Sequence, residues 1–238
     1  MANTFLHAKW ENLIMANYEI DPALLIPYLP KGVELDFFHG KALISLVGFL
    51  FKNTSIFNIP IPFLGTFEEI NLRFYVVRKK DNKWRRGVVF INETVPYRIV
   101  AKIANKLYKE HYTAVPTKHK WVETELEKEV VYQLKKNSIW NTIKVIASAR
   151  KEEMKSGSVE EFIFEHYYGY TKVDDSYSIE YKINHPRWGV YPIHDYSIDF
   201  DFGTIYGKDF TDLTNSKPHS VMLAEGSGIS VDWKRVRF

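Results

Sequence analysis

Phe67-Glu68-Glu69-Ile70-Asn71-Leu72-Arg73-Phe74-Tyr75 is the stretch whose reading decides the fold of this chain. From Glu69 onward polar and apolar residues alternate strictly. Successive side chains of a β-strand point to opposite faces. One face therefore carries Glu69, Asn71, Arg73 and Tyr75, and the other carries Ile70, Leu72, Phe74 and Val76. A half-exposed surface strand has the same pattern. The polar face here is an acid, an amide, a guanidinium and a phenol, with no Lys, Ser or Thr among them. Such a row holds a full set of donors and acceptors and suits the wall of a polar pocket.

Outward from this strand, Arg78 to Asn82 reads as a hairpin turn into a second strand, Arg86 to Ile91. Upstream, residues 53–66 carry Pro60, Pro62 and Gly65, too many breakers for a central strand. Ala42 to Phe51 is apolar apart from Ser45 and Gly48 and reads as a buried strand. It falls well short of the ~20 residues that span a membrane as a helix. Val33 to Asp36 is a further strand, turned at His39-Gly40. Asp21-Pro22 reads as an N-cap with proline at the first helical position. It opens a short helix, Ala23 to Tyr28, that closes near Pro30.

Downstream, Pro96, Ile99, Val100, Ile103, Ala104 and Leu107 recur at three- and four-residue spacing. That stripe predicts an amphipathic helix lying against a sheet, capped by Glu93 or Thr94 and ending near Glu110. Val130 to Leu134 and Ile139 to Ala149 flank Lys136-Asn137 as a hairpin. Lys151 to Ser158 is a polar loop. Phe162 to Thr171 and Tyr177 to Ile183 alternate as strands. Asp209 to Asn215 reads as a short helix, and His219 to Glu225 and Ile229 to Trp233 as two late strands. No repeat or linker interrupts the sequence. The expectation is one mainly-β α+β domain over residues 1–238, a barrel or large curved sheet with a few packed helices.

Composition bounds the function. Of 238 residues, 45% are hydrophobic and 16% aromatic, enough for a sizeable core and too many for a disordered chain. The 32 basic and 29 acidic residues are interspersed, so the pI of about 8.8 follows from a small excess and no nucleic-acid partner is expected. Lys234 to Arg237 reads as a solvated terminus. The absence of cysteine rules out disulfides, thiolate metal sites and a thiol nucleophile, and is compatible with a cytoplasmic setting. Met1 to Trp10 lacks the charged and apolar regions of a signal peptide. A soluble, cytoplasmic protein without membrane partners is expected.

Familiar catalytic signatures are absent. Gly226-Ser227-Gly228 is a tight turn with no helix behind it to hold a phosphate. No Gly-x-Ser-x-Gly elbow occurs. The eight histidines are scattered, and His185 and His194 stand too isolated for a zinc site, so neither metal nor cofactor is expected. His166, in Glu165-His166-Tyr167-Tyr168-Gly169-Tyr170, falls on a predicted strand face with Phe162, Phe164, Tyr168 and Tyr170. It reads either as a core histidine satisfied by a tyrosine hydroxyl or as a pocket-wall residue. Gly169 would admit a close approach. Tyr112, just past the amphipathic helix, is either core or a phenol aimed into the barrel.

Three segments carry a resemblance: Trp10-x-x-Leu13, Pro27-Tyr28-Leu29-Pro30-x-Gly32-x-Glu34-Leu35-Asp36, and Phe67-x-Glu69-x-Asn71-x-Arg73-x-Tyr75. Together they resemble the YqjF-like family of uncharacterised bacterial proteins, as do Glu165-His166-Tyr167 and Glu225-Gly226-Ser227. That family is similar to a distant branch of the acetoacetate-decarboxylase-like superfamily, which implies a conical β-barrel with flanking helices. The resemblance places Glu69 where the decarboxylases carry a glutamate on an early strand. It places His111-Tyr112-Thr113 where they carry a Pro-Lys-Lys segment with the Schiff-base lysine. That lysine is missing here. Lys109, Lys118 and Lys120 lie nearby, but none has an adjacent lysine to lower its pKa, as imine chemistry needs.

Three readings stay open. In the first, an enzyme without covalent catalysis acts on a small carboxylate or oxo compound, with Glu69 and Tyr112 moving protons and Arg73, Asn71 and His166 binding substrate. In the second, the barrel binds or senses a small anionic or aromatic ligand without turnover. In the third, the barrel is filled, and Glu69 and Arg73 form a structural ion pair. A homo-oligomer is compatible with all three.

Overall fold

The computed structural model describes residues 4–238. In chain order the principal elements of the first half are β1 (Thr4–Glu19), α1 (Pro22–Leu25), β2 (Lys41–Ile56), β3 (Phe67–Lys80), β4 (Lys83–Val95), α2 (Arg98–Tyr108) and β5 (Tyr112–Ala114). There follow β6 (Thr117–Glu123), β7 (Glu127–Lys136), β8 (Ile139–Ser148), α3 (Val159–Phe164), β9 (Tyr168–Lys172), β10 (Ser178–Asn184), β11 (Ile193–Asp199), α4 (Phe202–Tyr206) and β12 (Ser220–Asp232).

Seven strands close a ring in the order β12-β1-β2-β3-β4-β9-β10. The closing contact pairs Ile183 with Val231 and Asn184 with Ser230. All joints are antiparallel except β4–β9, where Gly87 and Val88 pair in parallel with Tyr168 and Gly169. A second sheet, ordered β11-β8-β7-β6, covers part of the outer wall. The chain is thus a barrel with a sheet laid against it, an acetoacetate-decarboxylase-like architecture.

Both faces of the wall are buried where the second sheet covers it, which accounts for the apolar run of β2. Ala42, Ile44, Leu46 and Leu50 face outward into a core shared with Val130, Tyr132, Ile143 and Val145. Leu43, Val47, Phe49 and Phe51 face the barrel interior. Gly48 marks the tightest approach between the layers: a Cβ there would lie 2.5 Å from the Ile143 side chain. On β3, Ile70, Leu72, Phe74 and Val76 belong to the outer core, as the alternation predicts. Their neighbours Glu69, Asn71, Arg73 and Tyr75 are therefore turned inside.

Several elements depart from the sequence reading. Phe162 to Thr171 is not one strand. Ser158 accepts from the Glu161 backbone N–H at 3.3 Å and starts α3, so Phe162, Ile163 and Phe164 are all buried on a helix. Helix α2 begins at Arg98, with Tyr97 as an N-cap that makes no side-chain bond, and closes at Lys109 in the left-handed conformation. Glu93 and Thr94 are not its caps but lie in β4. The two late strands are the single β12. β1, the longest strand with β2, is missed because its apolar and polar residues do not alternate cleanly. Met1 to Asn3, where the leader reading begins, lie outside the described residues. In the C-terminal basic segment Lys234 and Arg237 are exposed, the latter with its guanidinium 3.8 Å from the Tyr177 ring centroid, while Arg235 is half-buried with its guanidinium 4.9 Å from the Trp233 centroid. No helix among the described residues is long and apolar enough to cross a membrane.

Candidate functional site

The barrel interior holds a cavity of about 160 Å³. Glu69, Asn71 and Arg73 of β3 reach it by simple alternation. Glu93 reaches it through an irregularity. Leu72 pairs with Asn92 and Arg73 with Phe90, so Ile91 is an unmatched residue, a β-bulge. Before the bulge Val88 and Phe90 face inside; after it the phase has slipped by one, and Glu93 and Val95 do. Unbroken alternation from Val88 would have turned Asn92 inward. Nothing in the local sequence announces the slip, so sequence reasoning misses Glu93.

The strand after α2 supplies the next group. β5 pairs in parallel with β4, setting Tyr112 beside Glu93. Asn105 of α2 clamps that residue from both sides: its Oδ1 accepts from the Tyr112 N–H at 2.7 Å and its Nδ2 donates to the Tyr112 carbonyl at 2.9 Å. Glu110, in the turn between α2 and β5, is the third buried glutamate. Its Oε1 accepts from Thr171 Oγ1 at 2.5 Å and from the Tyr181 hydroxyl at 2.8 Å. Gly169 matters here. A Cβ on it would fall 2.1 Å from Tyr181 Cζ, so only glycine leaves that phenol its place.

Glu69 is 3% exposed, Glu93 3% and Glu110 5%. Glu69 accepts from Asn71 Nδ2 at 2.9 Å and from the Tyr112 hydroxyl at 3.2 Å. Burial raises its pKa to about 7, against the lowering by those two hydrogen bonds and by the Arg73 charge. Burial likewise lifts Glu110 to about 7, offset by its hydroxyl partners. Glu93 stands higher: burial dominates, and the charges of Glu69 and Glu110 add to it. The three titrate as a group. Burial and the Glu69 and Glu93 charges hold Tyr112 well above its ordinary range, so it is a hydroxyl donor at neutral pH.

Six residues of the cavity wall carry a buried polar atom with no hydrogen-bond partner in the protein: Trp10, Thr54 and Tyr108 on its aromatic and loop side, and Asn71 (Oδ1), Arg73 (Nε) and Glu93 (Oε2) in the polar group around Glu69. Buried polar groups normally find partners. On this one cavity they are left without a partner from the chain. Arg73 makes no ion pair with Glu69. Its Nη2 points to Met15 Sδ at 3.6 Å. The Glu69–Arg73 ion pair of the filled-barrel reading is therefore not formed.

The structure thus brings Glu69, Asn71, Arg73 and Tyr112 together and adds Glu93 and Glu110. It places His166 elsewhere. Without the predicted strand, His166 does not share a face with Tyr168 and Tyr170; its Nε2 lies 3.1 Å from Asp36 Oδ2, and Asp36 also accepts from Arg86 Nε at 2.7 Å. Its ring packs 4.8 Å from that of Tyr75, and burial lowers its pKa to about 4. Tyr75 stays on the inner face of the strand but does not line the cavity, its hydroxyl bonding Ser45 at 2.6 Å. Lys109, Lys118 and Lys120 are exposed, and no lysine lines the cavity. His185 stacks on Trp188 and His194 contacts Glu127, so the two do not meet.

The apolar remainder of the wall comes from the barrel and from α2. Ile99, Val100, Ile103, Ala104 and Leu107 face the cavity, so the stripe roofs a space instead of pressing on a sheet. Ile99 is 50% and Ile103 40% exposed, which puts the mouth beside this helix.

Residues 7–228 match the DUF2071 family, described as an uncharacterized conserved protein. The chain belongs to this family. The uncharacterized protein YqjF of Bacillus subtilis (strain 168) is 29% identical over 108 residues, 45% of this chain and 43% of that protein, so the match spans under half of that relative's length. Solved structures show the fold. An acetoacetate decarboxylase-like enzyme from Sphingomonas wittichii RW1 superposes with a TM-score of 0.67 at 10% identity, covering 99% of this chain and 93% of that one. The enduracididine biosynthesis enzyme MppR, complexed with pyruvate, gives 0.68 at 11%, covering 100% and 91%. Acetoacetate decarboxylase from Legionella pneumophila gives 0.63 at 14%, covering 98% and 89%.

Proposed function

We propose that this DUF2071 member is a proton-transfer enzyme of the non-imine kind, acting on a small oxo compound or carboxylate held in the barrel. The observation that carries this reading is the set of unpartnered atoms on Asn71, Arg73 and Glu93 beside Glu69. One carboxyl is held strongly protonated and its neighbour is poised near neutrality. Paired carboxyls with separated pKa values divide acid and base roles between them. Glu69, ionised, takes the proton from the carbon beside the carbonyl. Glu93, protonated, gives its proton to the oxygen, aided by the Tyr112 hydroxyl, and the product is the enol. The reverse transfers restore both groups. A neighbour of the same fold holding pyruvate supports an oxo compound as ligand.

Deuterium exchange at the carbon beside the carbonyl, followed by proton NMR in D2O, tests the reading on a panel of ketones and 2-oxo acids. Acceleration by the wild-type protein is expected, with losses of roughly 10²–10⁴-fold in Glu69→Gln and Glu93→Gln. Borohydride should trap no adduct. Absence of exchange across the panel would overturn proton transfer and leave a binding protein; a trapped adduct would restore imine chemistry.

A further inference from the structure

We infer that the ligand is an uncharged carbonyl compound with an apolar body about the size of a benzene ring, its oxygen toward Glu93 and Arg73 and its body under α2. The inference rests on the proton-transfer reading for the head group, and on separate observations for the rest. The first is volume. An engineered cavity of ~150 Å³ lined by apolar side chains binds benzene, and this one measures about 160 Å³. The second is the split lining. Glu69, Asn71, Tyr112 and Glu93 adjoin one another in one polar group, whereas Phe49, Phe90, Val100, Ala104 and Leu107 supply much of the remaining wall. A bare pyruvate-sized molecule would leave that apolar part uncovered.

The third observation concerns charge. Three carboxyl groups line the cavity against one guanidinium, and no lysine or histidine does. A ligand carboxylate would lose its hydration beside Glu69 and Glu110, the two carboxyls that ionise near neutrality. Its usual remedy is a bidentate guanidinium fork. Here Arg73 Nη2 is directed to Met15 Sδ, which occupies one arm of the fork, and of this guanidinium the Nε–H is the buried donor left without a partner. One N–H suits a carbonyl oxygen. The exposed apolar side chains at the mouth, Ile99 and Ile103, favour passage of an apolar molecule.

Four probes separate ring from carboxylate: acetone, pyruvate, phenylacetone and phenylpyruvate, each titrated calorimetrically against the full chain. Phenylacetone should bind roughly thirty- to a hundredfold tighter than acetone, from the apolar area of one ring. It should also bind at least about tenfold tighter than phenylpyruvate. Equal binding of acetone and phenylacetone overturns the apolar body while leaving proton transfer standing. Tighter binding of phenylpyruvate overturns the uncharged head and makes Arg73 a carboxylate clamp. Tight phenylacetone binding without deuterium exchange upholds this inference and removes the proton-transfer reading. Ala104→Phe, on the half-exposed α2, should abolish the ring's advantage while the thermal unfolding midpoint shows the barrel intact. An undiminished advantage in that variant overturns the placement of the body under α2.

Discussion

Glu69→Gln replaces a buried carboxyl that ionises near neutrality by an amide that never ionises, and its effect on stability reverses with pH. The folded pKa of Glu69 is about 7, raised from 4.5 chiefly by burial. Between those values the unfolded chain has released a proton that the folded chain still binds. Wild-type stability therefore falls as pH rises, by about 1.4 kcal/mol per pH unit for this group. The loss is roughly 3 kcal/mol by pH 7, and constant above it, where both states are ionised. Two histidines act oppositely in an overlapping window. His166 and His185 have folded pKa values lowered by burial to about 4, so their contribution rises with pH between about 4 and 6.5. The wild-type profile sums these histidines with Glu93 and Glu110, whose pKa values burial also raises, and so does not isolate Glu69. The difference between variant and wild type cancels the histidines. Urea unfolding at pH 5, 6, 7 and 8 should find Glu69→Gln equal or slightly less stable at pH 5 and about 2–3 kcal/mol more stable at pH 8, with unchanged m-values. A difference that does not vary with pH, or a variant less stable at pH 8, would refute the assignment of Glu69 as a carboxyl strained by burial.

Other substitutions test the scaffold. Glu180, 2% exposed, is bonded by Arg78 at 2.8 Å and Arg85 at 2.5 Å; Glu180→Ala should cost about 3–5 kcal/mol in urea unfolding by leaving the guanidiniums without their partner. Gly169→Ala drives a methyl into Tyr181 and should cost ~1–3 kcal/mol, with a changed tyrosine near-UV signal. Asn105→Ala removes both bonds that fix the Tyr112 backbone and should cost about 1–3 kcal/mol while lowering deuterium exchange more than ligand affinity. Phe63→Ser, at a 99% exposed side chain, should change stability by no more than ~0.5 kcal/mol; a larger loss means that the 57–66 segment is packed.

Much of the wall was legible because its physics is local. A strict two-residue period on β3 requires opposite faces whatever surrounds the strand, so Glu69, Asn71 and Arg73 share a side by covalent geometry alone. The apolar run Ala42 to Phe51 of β2, interrupted by Ser45 and Gly48 alone, required burial on both faces. The lack of a lysine where the resemblance puts one also stands in the sequence, and the structure adds that no lysine from elsewhere lines the cavity. By contrast, β1 hid because both of its faces are buried with polar exceptions such as Asn17, whose side chain bonds Ser45 and Ser220.

The sequence by itself determined the identity and order of the polar row and the absence of imine chemistry at Tyr112. Only the tertiary structure decided the rest of the site. The bulge at Ile91 arises from how β4 fits β3, and it alone turns Glu93 inward. Glu110 lies beyond a helix end, where no periodicity applies, and it is buried because Thr171 and Tyr181 come to it from strands far along the chain. The stripe on α2 announced an apolar face but not its occupant, since periodicity shows that a face is apolar and not what lies beneath it. That this face roofs a cavity follows from ring closure between β10 and β12, a contact between residues distant in sequence that no local pattern encodes.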